Sequence, residues 1–307
     1  MSTTINTTPD VASRFVNSIL AIKPLANLAK HQARQMMIKR AEKIGVFWTK
    51  EVQQLQARDW ASDLAQIQNP QLNYPDYYVT SFHAYETGNL SWQAAFEVES
   101  AAHAVHSRIW QKPENQGDAK LRQSFHDILK NSISGQPQDI IDLGCSVGMS
   151  TFALQAIYPQ AQITGLDLSP YFLAVANYRT QQRRLTHINW VHGQAESTGI
   201  ADATFDLVSI FLMCHELPQS ATHQIFAEAR RILRPGGHLA IMDMNPQSEI
   251  YKKMPTYILT LLKSTEPYLD EYFSLDMEQA LIQAGFQTPT ITSNSPRHRT
   301  IIAQVSG

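Results

Sequence analysis

One short stretch near the middle of the chain constrains the fold more than any other feature. Residues 139–143 are typical of a buried strand, and Gly144 and Gly148 punctuate the turn that follows. Residues 149–157 have the pattern of a helix, and residues 163–167 that of a second strand ending on an acid. A strand, a glycine turn, a helix and a strand-terminal carboxylate together predict a nucleoside-binding half-site.

The spacing of the glycines limits which nucleoside this turn can bind. Dinucleotide sites use Gly-x-Gly-x-x-Gly, in which the backbone presses against a pyrophosphate at a helix N-terminus. Here Ser146 stands in the place of the middle glycine. The turn therefore allows close approach of a ligand but is not suited to cradling two phosphates.

The pattern Asp142-x-Gly144-x-x-x-Gly148 resembles motif I of the class I S-adenosylmethionine-dependent methyltransferases. Four further segments resemble the family's later motifs in the same order: 165–169, 193–196, 205–209 and 233–239. Five ordered matches are far more specific than one glycine turn. The resemblance covers about residues 139–304 and is greatest to the small-molecule branch of the ubiquinone and menaquinone biosynthesis type. It implies a methyltransferase that uses S-adenosyl-L-methionine and releases S-adenosyl-L-homocysteine.

The alternation of strands and helices after residue 139 predicts an α/β fold. We expect a doubly wound, seven-stranded, mostly parallel sheet of the Rossmann-like methyltransferase type, with an N-terminal helical cap. Residues 1–115 are predicted to form the cap or lid region and residues 116–307 the S-adenosylmethionine-binding domain. Strands are expected at 139–143, 162–167, 187–192, 205–212, 236–244, 287–294 and 298–305, the last two forming a closing hairpin.

The N-terminal third has helical spacing of apolar residues from about residue 11 to residue 69. A first helix is indicated by Phe15, Ile19, Leu20 and Ile22, a second by Leu28, Met36, Met37 and Ile38, and a third by Trp48, Val52, Leu55 and Trp60. A later helix is expected from Trp92 to about Trp110, with Ser91 as its N-cap. Basic residues of the second helix are expected to form a solvated face, with peripheral membrane contact as the alternative: Lys30, Arg34, Lys39, Arg40 and Lys43.

The cofactor has a sulfonium, an adenosine and an amino-acid tail, so its site needs acceptors for the ribose hydroxyls but no phosphate ligands. Asp167 suits the ribose, and the resemblance implies that Asp142 orients the amino group of the tail. Related enzymes often have an aspartate where this chain has Gln194. The predicted cofactor-binding residues are Asp142, Gly144, Cys145, Ser146, Gly148, Asp167, Leu168, Gln194, Ala195, Glu196 and Phe211. Leu168 and Phe211 are the expected apolar walls for the adenine, with plain core packing as the alternative.

A general base is needed only if the methyl acceptor must lose a proton. The predicted base is His215, just past the fourth strand, with Glu216 as a group that orients it. A role for His215 in helix capping or in contact with the cofactor tail is the alternative. The aromatic stretch 73–92 is expected to cover the acceptor, with Tyr85 and His83 as further catalytic residues.

Composition excludes several other functions. A formal charge of −2 gives no reason to expect nucleic acid as a partner, and two cysteines leave no cysteine metal site or disulfide scaffold. The start of the chain has no basic segment followed by an apolar one, so a cytoplasmic protein with no transmembrane segment is expected. We expect a small-molecule methyltransferase, and the alternatives are a nicotinamide oxidoreductase and a non-catalytic binding or assembly protein. A methyltransferase that modifies amino groups of DNA would carry an Asn/Asp-Pro-Pro-aromatic motif after the fourth strand, and this chain has none there.

Overall fold

The computed structural model describes residues 23–83, 85–110 and 113–307 of the chain, without the side chains of 23–27, 29 and 30. The predicted first helix lies outside the described residues. The N-terminal helices are α1 (Lys23–Lys43), α2 (Trp48–Gln56), α3 (Ala61–Ile67), α4 (Trp92–His106) and α5 (Gly117–Ser132). The predicted third helix is interrupted before Trp60, whose indole nitrogen donates to the Leu55 carbonyl at 2.7 Å. Ser91 caps α4 as predicted, accepting from the Ala94 amide at 3.2 Å.

The remaining elements alternate as the sequence predicts. They are β1 (Asp139–Leu143), α6 (Met149–Ile157), β2 (Gln162–Asp167), α7 (Pro170–Arg183), β3 (Ile188–His192), β4 (Phe205–Phe211), α8 (Gln219–Ile232), β5 (Leu233–Met244), α9 (Glu249–Lys252), α10 (Thr256–Thr265), α11 (Leu269–Ser274), α12 (Met277–Gln283), β6 (Thr290–Ser293) and β7 (His298–Gln304). A single 3₁₀ turn, Cys214–Glu216, follows β4.

The seven strands form one sheet in the order β3-β2-β1-β4-β5-β7-β6, which confirms the predicted fold class. Only β7 runs against the others in this sheet, pairing antiparallel with both β5 and β6. β5 begins three residues earlier than predicted, because Leu233 already pairs with Phe205 before the register shifts. β6 is shorter than predicted, and all four of its residues are exposed at the sheet edge.

Three apolar clusters hold these layers together. One face of the sheet packs on α8 and α10–α12, and the other packs on α5 and α6. The third cluster joins α1, α2 and α4 to α7, so the N-terminal helices rest on the sheet domain. No helix within the described residues is long and apolar enough to cross a membrane. The boundary between residues 115 and 116 stays a prediction.

Basic residues on α1 do not form a single solvated face. Arg34 pairs with the buried carboxylate of Glu97, whereas Lys39 is exposed. Leu28 and Met36 are also exposed, so the apolar stripe predicted for this helix is only partly covered. Arg40 is half-buried beside other arginines.

Candidate functional site at the carboxyl ends of the strands

The turn after β1 is held against the end of β2 by its own backbone. The amides of Gly144 and Cys145 donate to the Leu166 carbonyl at 2.8 and 3.1 Å. The Ser146 amide donates to Asp167 Oδ2 at 2.8 Å, although Ser146 has a left-handed backbone with φ of 52°. Asp167 thus lies directly beside the turn, at the crevice where open α/β sheets bind ligands.

The two glycines of the turn have different surroundings. A Cβ on Gly144 would lie 2.2 Å from the sulfur of Met213, whose flexible side chain would have to move, and Gly144 also has a positive φ of 69° that favours glycine. A Cβ on Gly148 would lie 2.6 Å from the Trp190 ring. Gly148 is therefore required by packing against β3 as well as by its positive φ of 85°.

Asp142 is fully buried at the end of β1 and only half of its carboxylate is satisfied. Oδ2 accepts from the hydroxyls of Ser150 and Thr151 at 2.6 and 2.7 Å. Oδ1 has no hydrogen-bond partner in the described part of the chain. Burial raises the pKa of this carboxyl, and the hydroxyls of Ser150 and Thr151, the charge of Arg122 and the hydroxyl of Ser209 oppose that rise. Ser209 is paired with Asp142 across β1 and β4, and Oδ1 still has room to accept from a further donor.

Arg122 on α5 is a functional candidate that the sequence analysis missed. Its Nε and Nη2 donate to Asp118 at 2.8 and 3.2 Å, and its guanidinium carbon lies 4.3 Å from the centroid of the Phe211 ring. Its Nη1 is buried with no partner among the described residues. Phe211 also packs on Phe125, at 5.7 Å between ring centroids. Phe211 therefore packs between Arg122 and Phe125, which favours the alternative of core packing, and its role as a wall for the adenine stays a prediction.

The orphan atoms fit an amino-acid tail. Asp142 Oδ1 can accept from an ammonium group, and Arg122 Nη1 can donate to a carboxylate. Both lie at the ends of neighbouring strands, because Asp142 is in β1 and Phe211, on which Arg122 stacks, ends β4. A zwitterion therefore meets complementary charges here. Arg122 lies on a helix before the first strand and belongs to no local motif. The signal in the sequence is its position four residues after Asp118, a spacing typical of an ion pair on a helix.

Residues 73–78, which we name the tyrosine segment, lie over the predicted adenosine-binding residues. The Tyr78 hydroxyl is 3.5 Å from Asp167 Oδ1, and the Tyr77 hydroxyl donates to Glu196. The amide of Gln194 donates to the carbonyl of Asn73. Three predicted ligands of the adenosine are thus in contact with one segment of the N-terminal region.

His192 fixes the same segment from below. Its Nδ1 accepts from the Asn69 amide at 2.9 Å, so Nε2 carries the proton and donates to the Leu168 carbonyl at 2.9 Å. The Tyr74 hydroxyl lies 3.2 Å from Nε2. Leu168 is buried and Ala195 belongs to the core, so neither side chain is freely presented to a ligand.

Asp167 titrates near neutrality in this environment. Burial raises the pKa of its carboxyl to about 6, and the amides of Ser169 and Ser146 limit the rise by donating to the ionised form. The Ser169 bond is 2.8 Å long. The carboxylate is therefore ionised at neutral pH and loses its charge in mild acid.

A second group of titratable residues surrounds the 3₁₀ turn after β4. His215 Nδ1 lies 2.7 Å from Asp243 Oδ1, and the His215 amide donates to Asp243 Oδ2 at 3.3 Å. His83 Nε2 lies 2.9 Å from Glu266 and 3.6 Å from Glu216. The structure thus brings the predicted residues His83 and His215 into one cluster. Tyr85 is not part of it, because its hydroxyl donates to Glu97 at 2.9 Å in the helical region.

The charges of this cluster change which residue can act as a base. Burial lowers the pKa of His215, but Asp243, Glu266 and Glu216 outweigh that effect and raise the value to about 10. Burial raises the pKa of Glu216 to about 7, against the positive charges of His83 and His215. At neutral pH His215 already holds its proton, so Glu216 is the group poised to accept one.

Comparison with known proteins agrees with this geometry. A family model described as a methyltransferase domain matches residues 140–237. An uncharacterized methyltransferase of Synechocystis sp. is 31% identical over 163 residues, 53% of this chain and 73% of that protein. The demethylmenaquinone methyltransferase of Shouchella clausii is 31% identical over 162 residues, covering 51% of this chain and 68% of that protein. The chain spans only about half the length of further curated relatives, 54% and 50% in two cases.

Solved structures share the fold. Phosphoethanolamine N-methyltransferase 2 of Haemonchus contortus, solved with S-adenosyl-L-methionine, superposes with a TM-score of 0.52 at 15% identity, covering 71% of this chain and 58% of that one. At this identity the likeness concerns the fold alone. Together with the relatives above and the glycine turn beside Asp167, it leads to one conclusion: the chain belongs to the class I S-adenosylmethionine-dependent methyltransferases.

Proposed function

We propose that this protein transfers a methyl group from S-adenosylmethionine to an aromatic or apolar small molecule. The observation that carries the proposal is the pair of complementary orphan atoms, Asp142 Oδ1 and Arg122 Nη1, beside the Gly144 turn. They would hold the ammonium and the carboxylate of the methionyl tail. Asp167 would accept from the ribose hydroxyls, and Gln194 from the adenine amine.

The cofactor, when bound, supplies a methyl group on a sulfonium that is already a good leaving group. The residues of this chain then contribute position and exclusion of water. The tyrosine segment would close over the adenosine through Tyr77 and Tyr78, since their hydroxyls already contact Glu196 and Asp167. For adenosine to bind, the Tyr78 hydroxyl must give up its place at Asp167 to a ribose hydroxyl.

Proton removal from the acceptor would fall to Glu216, with His215 as a fixed positive charge. The Asp243 carboxylate holds the His215 ring through Nδ1, which leaves Nε2 as the nitrogen free to donate toward the acceptor. Burial favours the protonated form of Glu216, and the positive charges of His83 and His215 favour the ionised form, so its pKa of about 7 lies near the working pH. Both residues follow β4, so they adjoin the sulfonium end of the site rather than the adenosine end.

A screen of small-molecule acceptors with a labelled methyl donor tests the activity. We expect transfer to at least one aromatic or apolar acceptor. Glu216→Gln should lower kcat and abolish the rise in rate near pH 7, and His215→Gln should lower kcat while keeping that rise. Glu278→Gln, an exposed glutamate on α12, is the matched control and should keep full activity. An unchanged pH profile in Glu216→Gln would refute its role as base.

The alternative is a non-catalytic binding or assembly protein that kept the cofactor fold. Cofactor residues can persist without turnover, so only activity separates the two. We retain the predicted cytoplasmic location as part of the proposal, supported by two free, buried cysteines, Cys145 and Cys214.

A further inference from the structure

Arginine side chains gather beside the His215 cluster, at the end of β5 and the start of β7. Asp243 and Arg299 are directly opposite each other in the antiparallel pair. Opposed residues point to the same face of a sheet, so Arg299 lies on the face where Asp243 binds His215. Its guanidinium carbon is 6.0 Å from the centroid of Tyr272, whose ring lies 6.3 Å from that of His215.

Arg297 continues this face past the end of the strand. Its carbonyl accepts from the Asn245 amide at 2.8 Å, so the strand pairing extends to it. The Tyr251 hydroxyl lies within reach of three charges: burial raises its pKa, Arg297 lowers it, and Asp243 and Glu266 raise it further. Since Asn245 is two residues past Asp243, the backbone pairing places Arg297 near that carboxylate along the strand pair.

Two arginines of the N-terminal region contribute further positive charge near Arg297. Arg40 lies on α1 and Arg108 follows α4. Burial lowers the pKa of Arg40, and the positive charges of Arg108 and Arg297 lower it further. Arg40 is therefore close enough to both Arg108 and Arg297 for their like charges to repel its own, although the three are far apart in sequence.

Within residues 23–83, 85–110 and 113–307, Arg40, Arg108, Arg297 and Arg299 form no ion pair with a carboxylate within 4 Å, whereas Arg34, Arg58, Arg122, Arg231 and Arg234 do. Arg108 is exposed to solvent, and Arg299 hydrogen-bonds to Tyr272. Arg297 Nη2 and Arg299 Nε are buried without a hydrogen-bond partner. Buried guanidinium donors left without acceptors cost free energy, and mutual repulsion adds to it.

We propose that Arg297 and Arg299, with Arg40 and Arg108 at the rim, bind an anionic group of the methyl acceptor beside His215. The inference rests on the proposed function, since it concerns the acceptor of that reaction. Guanidinium groups suit carboxylates and phosphates because their donors form paired bonds to two oxygens. Without the arginines, the carboxylates of Asp243, Glu216 and Glu266 would repel an anion. The positive charges of the arginines offset that repulsion and allow this side of the pocket to bind an anionic group.

The test measures binding of anion probes to the protein saturated with S-adenosylhomocysteine. Inorganic phosphate and benzoate are titrated calorimetrically against a sodium chloride control of equal ionic strength. We expect one of the two to bind, phosphate pointing to a phosphoryl group and benzoate to a carboxylate. Arg297→Gln and Arg299→Gln should each weaken that binding about tenfold or more. They should also raise the melting temperature of the ligand-free protein, because a repelling charge is removed.

Arg184→Gln is the matched control, since Arg184 is exposed beyond α7 at the opposite edge of the sheet. It should leave anion binding unchanged. If neither probe binds more tightly than chloride, or if Arg184→Gln weakens binding as much as the other two variants, the anion subsite is refuted. Failure of S-adenosylhomocysteine itself to bind would instead refute the proposed function, so the two failures are distinguishable.

Discussion

Arg122 offers the most specific test of how the cofactor tail is held. Replacing it with methionine keeps a flexible apolar stem on Phe211 but removes the Nη1 donor proposed to bind the tail carboxylate. A hydrogen bond between charged groups contributes about 1.5–3 kcal/mol. Because about 1.4 kcal/mol corresponds to tenfold in affinity, Arg122→Met should weaken S-adenosylhomocysteine about 10- to 150-fold.

The assay compares two ligands that differ in the tail. S-adenosylhomocysteine carries the amino acid, and 5′-methylthioadenosine has the same adenosine without it. Calorimetric titration should show that Arg122→Met loses affinity for the first ligand and keeps its affinity for the second within about threefold. Retained binding of 5′-methylthioadenosine also shows that the variant folds, although Asp118 has lost its partner and keeps only His106, at 2.7 Å. Equal loss for both ligands, or no loss for either, would refute the assignment.

Three further predictions follow from the turn and the segment above it. Burial raises the pKa of Asp167 to about 6, so the carboxylate that binds the ribose loses its charge as pH falls through that value. S-adenosylhomocysteine should therefore bind about tenfold more weakly at pH 5 than at pH 7. The Asp167→Asn variant should bind this ligand weakly at both pH values. Tyr77→Phe removes the bond to Glu196, so stopped-flow should record dissociation of S-adenosylhomocysteine about tenfold faster, while Tyr257→Phe on an exposed position leaves the rate unchanged. Gly148→Ala places a Cβ 2.6 Å from Trp190 at a position with positive φ, and urea unfolding should show that the free energy of unfolding falls by about 2–4 kcal/mol. The control is Gly199→Ala, where φ is also positive but no atom lies within 4 Å of the added Cβ, and the expected fall is about 1 kcal/mol. A similar fall in the free energy of unfolding for both variants would mean that backbone strain alone destabilises them and that the contact with Trp190 contributes nothing.

The strands could be predicted closely because their signals are local. Residues 139–143 and 162–167 are short segments with isoleucine and leucine, each bounded by turn residues, and the structure reproduces both spans. Boundaries shifted where pairing decided them, as at Leu233, which joins β5 through a partner in β4. The local sequence pattern does not show which neighbouring strand the end of a strand will pair with.

The site divides in the same way. Asp142, Ser146 and Asp167 are adjacent to the turn that identified them, so their meeting could be anticipated. Tyr85 is expected at the site from the aromatic stretch, and Phe211 from the end of the fourth strand; their tertiary contacts include Glu97 and Phe125, which no local pattern reveals.

Other site residues could not be found because their partners are distant in sequence. Arg122 faces the end of β1 only after α5 packs on the sheet. Tyr78 reaches Asp167 across 89 positions, and the charge of Arg297 acts on Arg40 across most of the chain. The protonation of His215 depended on three carboxylates, of which Glu266 and Asp243 lie on later elements.

The most direct test of the central claim is the melting temperature with and without S-adenosylhomocysteine. A ligand of the native state at 100 times its dissociation constant stabilises that state by about 2.7 kcal/mol, which corresponds to a rise of several degrees. We predict that rise for the wild-type protein, a much smaller one for Asp167→Asn, and none with NAD(H). No rise with S-adenosylhomocysteine, or a rise with NAD(H) alone, would contradict the account.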